Sequence, residues 1–294
     1  MGLIAVLLLC LTGGQEGGRD WGPVWERLAA ARAAPAGSEE RAARLEELQE
    51  VTAEVAGTPR GALLKAQVDR LAGRAGALTP PAGAAAPWPY AGEENWLAAE
   101  VLAPSPERAA AARRALDELP GPVPDDRVRL AWEIGVEEAR ALRFESAQGL
   151  QEALHRRFRA VWSAMDLSLT LTRLGRHDAS DQVLAEQIAS EEKAGSPTGD
   201  LWSQRGTATL GAGDEARGRD YLGLGVARGS RDAVVVLARL DLEQGRLSAA
   251  RAGFRTLLVD GEPSPWAPKG WGLTLLPETP EATWSADPAR TAKE

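Results

Sequence analysis

The chain has 294 residues, 44% of them hydrophobic, which is enough to build a sizeable core in one large or two ordinary domains. Ala, Leu, Arg and Glu are abundant while Phe and Tyr number only three and two, a balance that favours helix over strand and predicts a nearly all-helical fold. A formal net charge of -8 works against binding to phosphate backbones, so nucleic acid is not an expected partner.

In chain order, the first stretch is "MGLIAVLLLCLTGG", an apolar run from Leu3 to Leu11 that ends in small residues. Thr12 and Gly14 stand in the small-x-small arrangement of a secretory cleavage site, so residues 1–14 are expected to be a signal peptide and the mature chain to be exported, periplasmic or extracellular. The alternative, a cytoplasmic chain, would leave nine apolar residues uncovered at a free terminus. The run is too short to span a bilayer, and no transmembrane segment is expected. Cys10, the only cysteine, lies inside it, so the chain can form no internal disulfide; the large Leu9 before it does not suit lipoprotein processing.

An N-terminal helical region is expected over residues 19–119. Gly22-Pro23 opens "VWERLAAARAA", Ser38 can cap "EERAARLEELQEVTAEVA", and Thr58-Pro59 opens a third helix. Residues 78–95, "LTPPAGAAAPWPYAGEEN", are too rich in Pro, Gly and Ala to continue a helix and read as a long loop. Ser105-Pro106 starts a fourth helix that runs to Leu119, and "PGPVPDD" breaks the chain again.

Residues 126–260 show a recurring grammar. Gly245 is followed five residues later by the small Ala250 and nine later by the large Phe254; Gly213 stands likewise to Gly218 and Leu222, and Gly175 to Ser180 and Leu184. If each glycine turns the chain between two antiparallel helices, the small residue admits the second helix against the first and the large one fills the space a turn further on. The spacings 175 to 213 and 213 to 245 are 38 and 32 residues, and the middle unit has Trp202 and Gly206 in its first helix. With these features, residues 160–260 resemble the tetratricopeptide repeat, whose pattern is W-x2-L-G-x2-Y, then A-x3-F, over about 34 residues. A weaker unit lies upstream, with Gly135 and Ala147 at the small positions and no turn glycine. The fold expected is therefore all-α: a tetratricopeptide-like α-solenoid of antiparallel helical hairpins, preceded by the N-terminal helical region and followed at 261–294 by an irregular tail containing Pro and Trp. A plain helical bundle in which the glycines merely end helices is the alternative.

Residues that could carry chemistry are few. His155 and His177 are the only histidines; "GRHD" places His177 in a turn, without the converging ligands a metal needs. "GLGVARG" at 223–229 fits no phosphate-loop spacing and is expected to end a helix at Gly229. Paired carboxylates such as Glu137 and Glu138, or Glu191 and Glu192, read as solvated helix faces. No catalytic set, metal or cofactor is expected. Among ten tryptophans, Trp132, Trp162 and Trp202 are expected inside hairpins, while Trp88, Trp96, Trp266, Trp271 and Trp284 lie in or beside loops. The loop tryptophans either cover the ends of the helix stack or form an aromatic platform for a peptide or sugar.

The resemblance implies a non-enzymatic scaffold that binds a protein or peptide partner through the first helix of each hairpin. The ligand-facing candidates are Ser163, Asp166 and Thr170 in the first unit, Gln204 and Arg205 in the second, and Arg239 with Glu243 in the third. Arg205 and Arg239 could each hold a peptide carboxylate by two parallel hydrogen bonds. The competing expectation is a glycan-binding or enzymatic helical protein that uses the tryptophan-bearing loops.

Overall fold

The computed structural model describes residues 20–75, 78 and 90–259, with only the main chain at 258 and 259. Among them run thirteen helices: α1 (Gly22–Ala33), α2 (Glu39–Glu54), α3 (Pro59–Leu71), α4 (Glu93–Val101), α5 (Pro106–Glu118), α6 (Asp125–Arg140), α7 (Phe144–Phe158), α8 (Val161–Arg173), α9 (His177–Ala194), α10 (Gly199–Gly211), α11 (Glu215–Ala227), α12 (Arg231–Glu243) and α13 (Leu247–Val259). No strand occurs among the described residues; the single extended pairing is an isolated parallel bridge between Leu78 and Leu102. The all-α class expected from composition is the class observed, and helices adjacent in sequence pack on one another in the solenoid-like manner expected from the repeat pattern. The chain divides into two compact units at Phe158/Arg159, a boundary that falls inside the repeat region read from sequence at 126–260.

In the first unit each helix packs on its neighbour in sequence, and α5 also packs on α7. Three starts are fixed as the sequence suggested: Ser38, Thr58 and Ser105 each accept a hydrogen bond from the backbone N–H three residues on, satisfying one of the donors a helix leaves orphaned at its first turn. The core is continuous, from Trp21 and Trp25 in and beside α1 through Leu48, Leu63, Leu64 and Trp96 to Leu150 and Leu154 in α7. Each large apolar side chain buried this way contributes about 1.5 to 3 kcal/mol. Trp96 belongs to that core as part of α4 and not to a loop, because Glu93 already begins the helix. This unit also buries charges: Arg60 with Glu94 (2.6 Å), and Glu138 beneath Arg143 (2.5 Å). Glu138 is thus not a solvated surface carboxylate.

The second unit is built differently. Helices α8, α10 and α12 pack side by side, α8 on α10 and α10 on α12, while α9, α11 and α13 each pack on the helix before it. The three hairpin turns adopt one geometry. Gly175, Gly213 and Gly245 have φ of +71°, +88° and +71°, and the N–H of the next residue reaches the carbonyl five back: Arg176 to Leu171, Asp214 to Thr209, Arg246 to Asp241. Five residues after each glycine, Ser180 and Ala250 are fully buried and Gly218 is buried; nine after, Leu184, Leu222 and Phe254 are buried. Seven residues before it, Ser168, Gly206 and Ala238 face them. Ser168 and Ser180 meet through their hydroxyls at 2.8 Å. At Gly206 an added Cβ would lie 2.6 Å from Leu222 Cγ and 2.9 Å from the Gly218 oxygen, so backbones approach there as only glycine permits.

The α6–α7 hairpin of the first unit follows the same register without a glycine. Leu142, 33 residues before Gly175, takes φ +61°, and Arg143 N–H bonds the Glu138 carbonyl at 2.9 Å. Gly135 and the fully buried Ala147 hold the small positions around it.

Candidate interaction face

On the first helix of each hairpin, the positions 13, 9, 6 and 2 before the turn glycine are spaced four, three and four residues apart and so share one helical face. In α8 they are Trp162, Asp166, Leu169 and Arg173; in α10, Asp200, Gln204, Thr207 and Gly211; in α12, Asp232, Val236, Arg239 and Glu243. None of the twelve is buried, and the position six before the glycine is exposed in all three helices. Because α8, α10 and α12 pack side by side, the three stripes form one surface. At the end of α10 nearest the turn, Gly211 lies against Thr172 of α8.

Four of the candidates read from sequence fall on this surface: Asp166, Gln204, Arg239 and Glu243. Arg239 and Glu243 are exposed and neither forms an ion pair with another described residue. Ser163 and Thr170 are not on it; they are 1% and 2% exposed, one residue away from the stripe and turned inward, and the Ser163 hydroxyl bonds the Ala160 carbonyl. Trp162 and Leu169, at 36% and 48% exposure, are apolar residues on this face that a choice by polarity omits.

Arg205 lies on the neighbouring face of α10, next to α9 and α11. Its Nε and one terminal nitrogen donate to the two oxygens of Asp181 at 2.7 and 2.8 Å. Its guanidinium stands 4.2 Å from the Tyr221 ring centre and 5.3 Å from that of Trp202. Arg217 covers Tyr221 and donates to the same Asp181, and Arg228 covers Trp202 while pairing with Glu192. The hydrogen bond from Arg205, with the charges of Arg205 and Arg217 added, holds the Asp181 carboxyl below the ordinary carboxylate range against the opposing effect of partial burial. The result is a three-helix clamp in which Asp181 takes the side-on donor pair of Arg205, the Nε and one terminal nitrogen, that could otherwise hold a peptide carboxylate.

The helical tryptophans divide by register. Trp202, eleven before its turn glycine, is half-buried, whereas Trp162 at thirteen and Trp132 at ten before Leu142 are partly exposed, Trp132 at 40%. One or two residues of offset turn a side chain about 100° to 200° around the helix, which moves these two out of the hairpin interior.

His155 is buried in α7, and His177 is the first residue of α9. Among the described residues, no group of three or more His, Cys, Asp or Glu is placed to hold a metal ion, and no helix is long and apolar enough to cross a membrane. The leader at 1–14 and the tryptophans at 88, 266, 271 and 284 lie outside the described residues. No protein-family model matches the chain, and no curated protein is significantly similar to it.

Proposed function

We propose that this chain is an exported, non-enzymatic interaction protein whose tetratricopeptide-like hairpins α8–α13 hold an extended peptide segment across the first helices. The observation that carries the reading is the three-helix stripe: twelve register-equivalent positions, none buried, on helices that touch side by side. Packed helices lie 8–10 Å apart and an extended strand advances about 3.3 Å per residue, so a segment of about six residues spans the three stripes. Trp162 and Leu169 offer it an apolar seat on α8. The stripe holds Asp166, Asp200, Asp232 and Glu243 against Arg173 and Arg239, so it complements an apolar and basic segment better than an acidic one.

Selection of random peptides on the full chain tests this. Enriched sequences sharing an apolar residue and a basic residue, and losing binding at least tenfold to a Leu169→Lys, Glu243→Lys variant of unchanged melting temperature, are the expected outcome. Peptides that bind that variant as well as the parent overturn it. Export rests on "MGLIAVLLLCLTGG", and the expected mature N-terminus follows Gly14 closely. A mature protein beginning at Met1 overturns that part.

A further inference from the structure

The first unit contains a cleft of about 670 Å³ between α1, α4 and the loop 119–124, within the size range of small-molecule pockets. Trp25 and Leu28 line it from α1, Trp96 and Leu97 from α4, and Pro120, Pro122 and Val123 from the loop. Its charged groups are mostly satisfied within the protein. Glu93 pairs with Arg127 (2.6 Å) and Arg32 with Glu100 (2.6 Å), while Arg157 donates to the Leu119 and Gly121 carbonyls and so ties the loop to α7.

Two groups stand outside this pattern: Asp126, which is exposed, and the buried Glu94. Glu94 Oε1 accepts from both Trp25 Nε1 (3.0 Å) and Arg60 Nε (2.6 Å), whereas its Oε2 is buried and has no hydrogen-bond partner among the described residues. A buried acceptor left unmet is unfavourable, and native structures rarely keep one without a use. The Arg60–Glu94 pair is neutral as a unit and Asp126, the remaining lining carboxylate, is exposed, so a cation entering beside Oε2 would be buried with no added counter-charge there. A neutral N–H or O–H donor completes the carboxylate without that cost. The tryptophan faces, leucines and prolines around it suit a flat apolar body.

We propose that this cleft binds a neutral aromatic molecule carrying a single N–H or O–H donor, of the indole or phenol kind. The ring lies against Trp25 and Trp96, and the donor bonds Oε2 of Glu94, which lines the cleft. This site is separate from the α8–α12 stripe, so either can fail without the other.

Calorimetric titration of the full chain with indole, 1-methylindole and tryptamine tests it. Indole should bind saturably at one site, and 1-methylindole, which keeps the ring but lacks the donor, at least fivefold more weakly. Ala29→Phe, which fills the wall from α1 without touching the Glu94 hydrogen bonds, should weaken indole at least tenfold while the protein stays folded by circular dichroism. Equal binding of indole and 1-methylindole, tighter binding of tryptamine than of indole, no saturable indole binding, or an Ala29→Phe protein that binds indole normally would each overturn the proposal.

Discussion

The two units reach an all-helical fold by opposite means. The first has one continuous core of large side chains and buries charged groups in pairs; the second has two small apolar clusters and buries mainly hydroxyls, among them Ser163, Ser168, Thr170, Ser180, Ser203 and Thr209. Bulk apolar volume holds the first together. The second depends on close backbone approach through Gly, Ala and Ser at fixed offsets from each turn, so its stability is spread over many small contacts that tolerate little added volume.

Four experiments break or sharpen that contrast. The largest effect is expected at Glu94→Ala, which removes the buried carboxylate that Arg60 and Trp25 share inside the first core and should cost about 3 to 5 kcal/mol in urea unfolding. A loss under 1 kcal/mol would mean that the buried pair is not structural. Next comes one substitution at equivalent positions of the two units. Gly206→Ala forces a methyl to within 3 Å of Leu222 and the Gly218 backbone and should cost about 1 to 3 kcal/mol. Gly135→Ala meets Gln151 Cγ at 3.5 Å, an ordinary contact, and should stabilise by about 0.5 to 1 kcal/mol through helix propensity. Thermal melts that move both variants the same way would erase the distinction between the hairpins.

A smaller gain is expected at Leu142→Gly. Leucine at φ +61° carries about 1 to 2 kcal/mol of left-handed strain, and glycine relieves it while adding freedom to the unfolded chain, for a net stabilisation of about 0.5 to 1 kcal/mol. A lower melting temperature would show that the exposed leucine side chain has a compensating contact. The smallest effect concerns pH. The Asp181 carboxyl is held below its unfolded value of about 3.9, so its contribution is complete above that pH and is lost as pH falls through the lower folded value. Asp181→Asn should therefore remove a share of the acid sensitivity below about pH 4, and parallel acid profiles of variant and parent would contradict the clamp.

Much of this architecture was readable because turn glycines, small residues and caps are local signals with a fixed geometric meaning. Gly175, Gly213 and Gly245 marked three hairpins, and Ser38, Thr58 and Ser105 marked three helix starts. Leu142 escaped detection because nothing in a leucine announces positive φ; only the Gly135 and Ala147 spacing around it gives it away. Only a third of the candidate face, four of its twelve positions, was legible. Choosing polar residues found Asp166, Gln204, Arg239 and Glu243 but included the inward Ser163 and Thr170 and missed Trp162, Leu169 and Val236 and even the polar Arg173, Asp200, Thr207 and Asp232, since polarity is a weaker guide to exposure here than offset from the turn. Arg205 could not be placed from sequence because its partner, Asp181, is 24 residues away on another helix. The cleft beside Glu94 joins residues from α1, α4 and a proline loop, separations no local pattern encodes.

The glycines of the α10–α11 hairpin also bear on the order in which the second unit forms. Gly199, Gly206, Gly211, Gly218, Gly223 and Gly225 all lie within these two thirteen-residue helices. Each disfavours an isolated helix by about 1 kcal/mol relative to alanine, so this hairpin is the poorest nucleus in the unit. In a chain of stacked hairpins, where ordering spreads from neighbour to neighbour, it should condense only after α8–α9 and α12–α13 offer surfaces on either side. Pulse-labelled hydrogen exchange during refolding should find its amides protected last. Protection there ahead of both flanking hairpins would place the folding nucleus at the glycine contact itself.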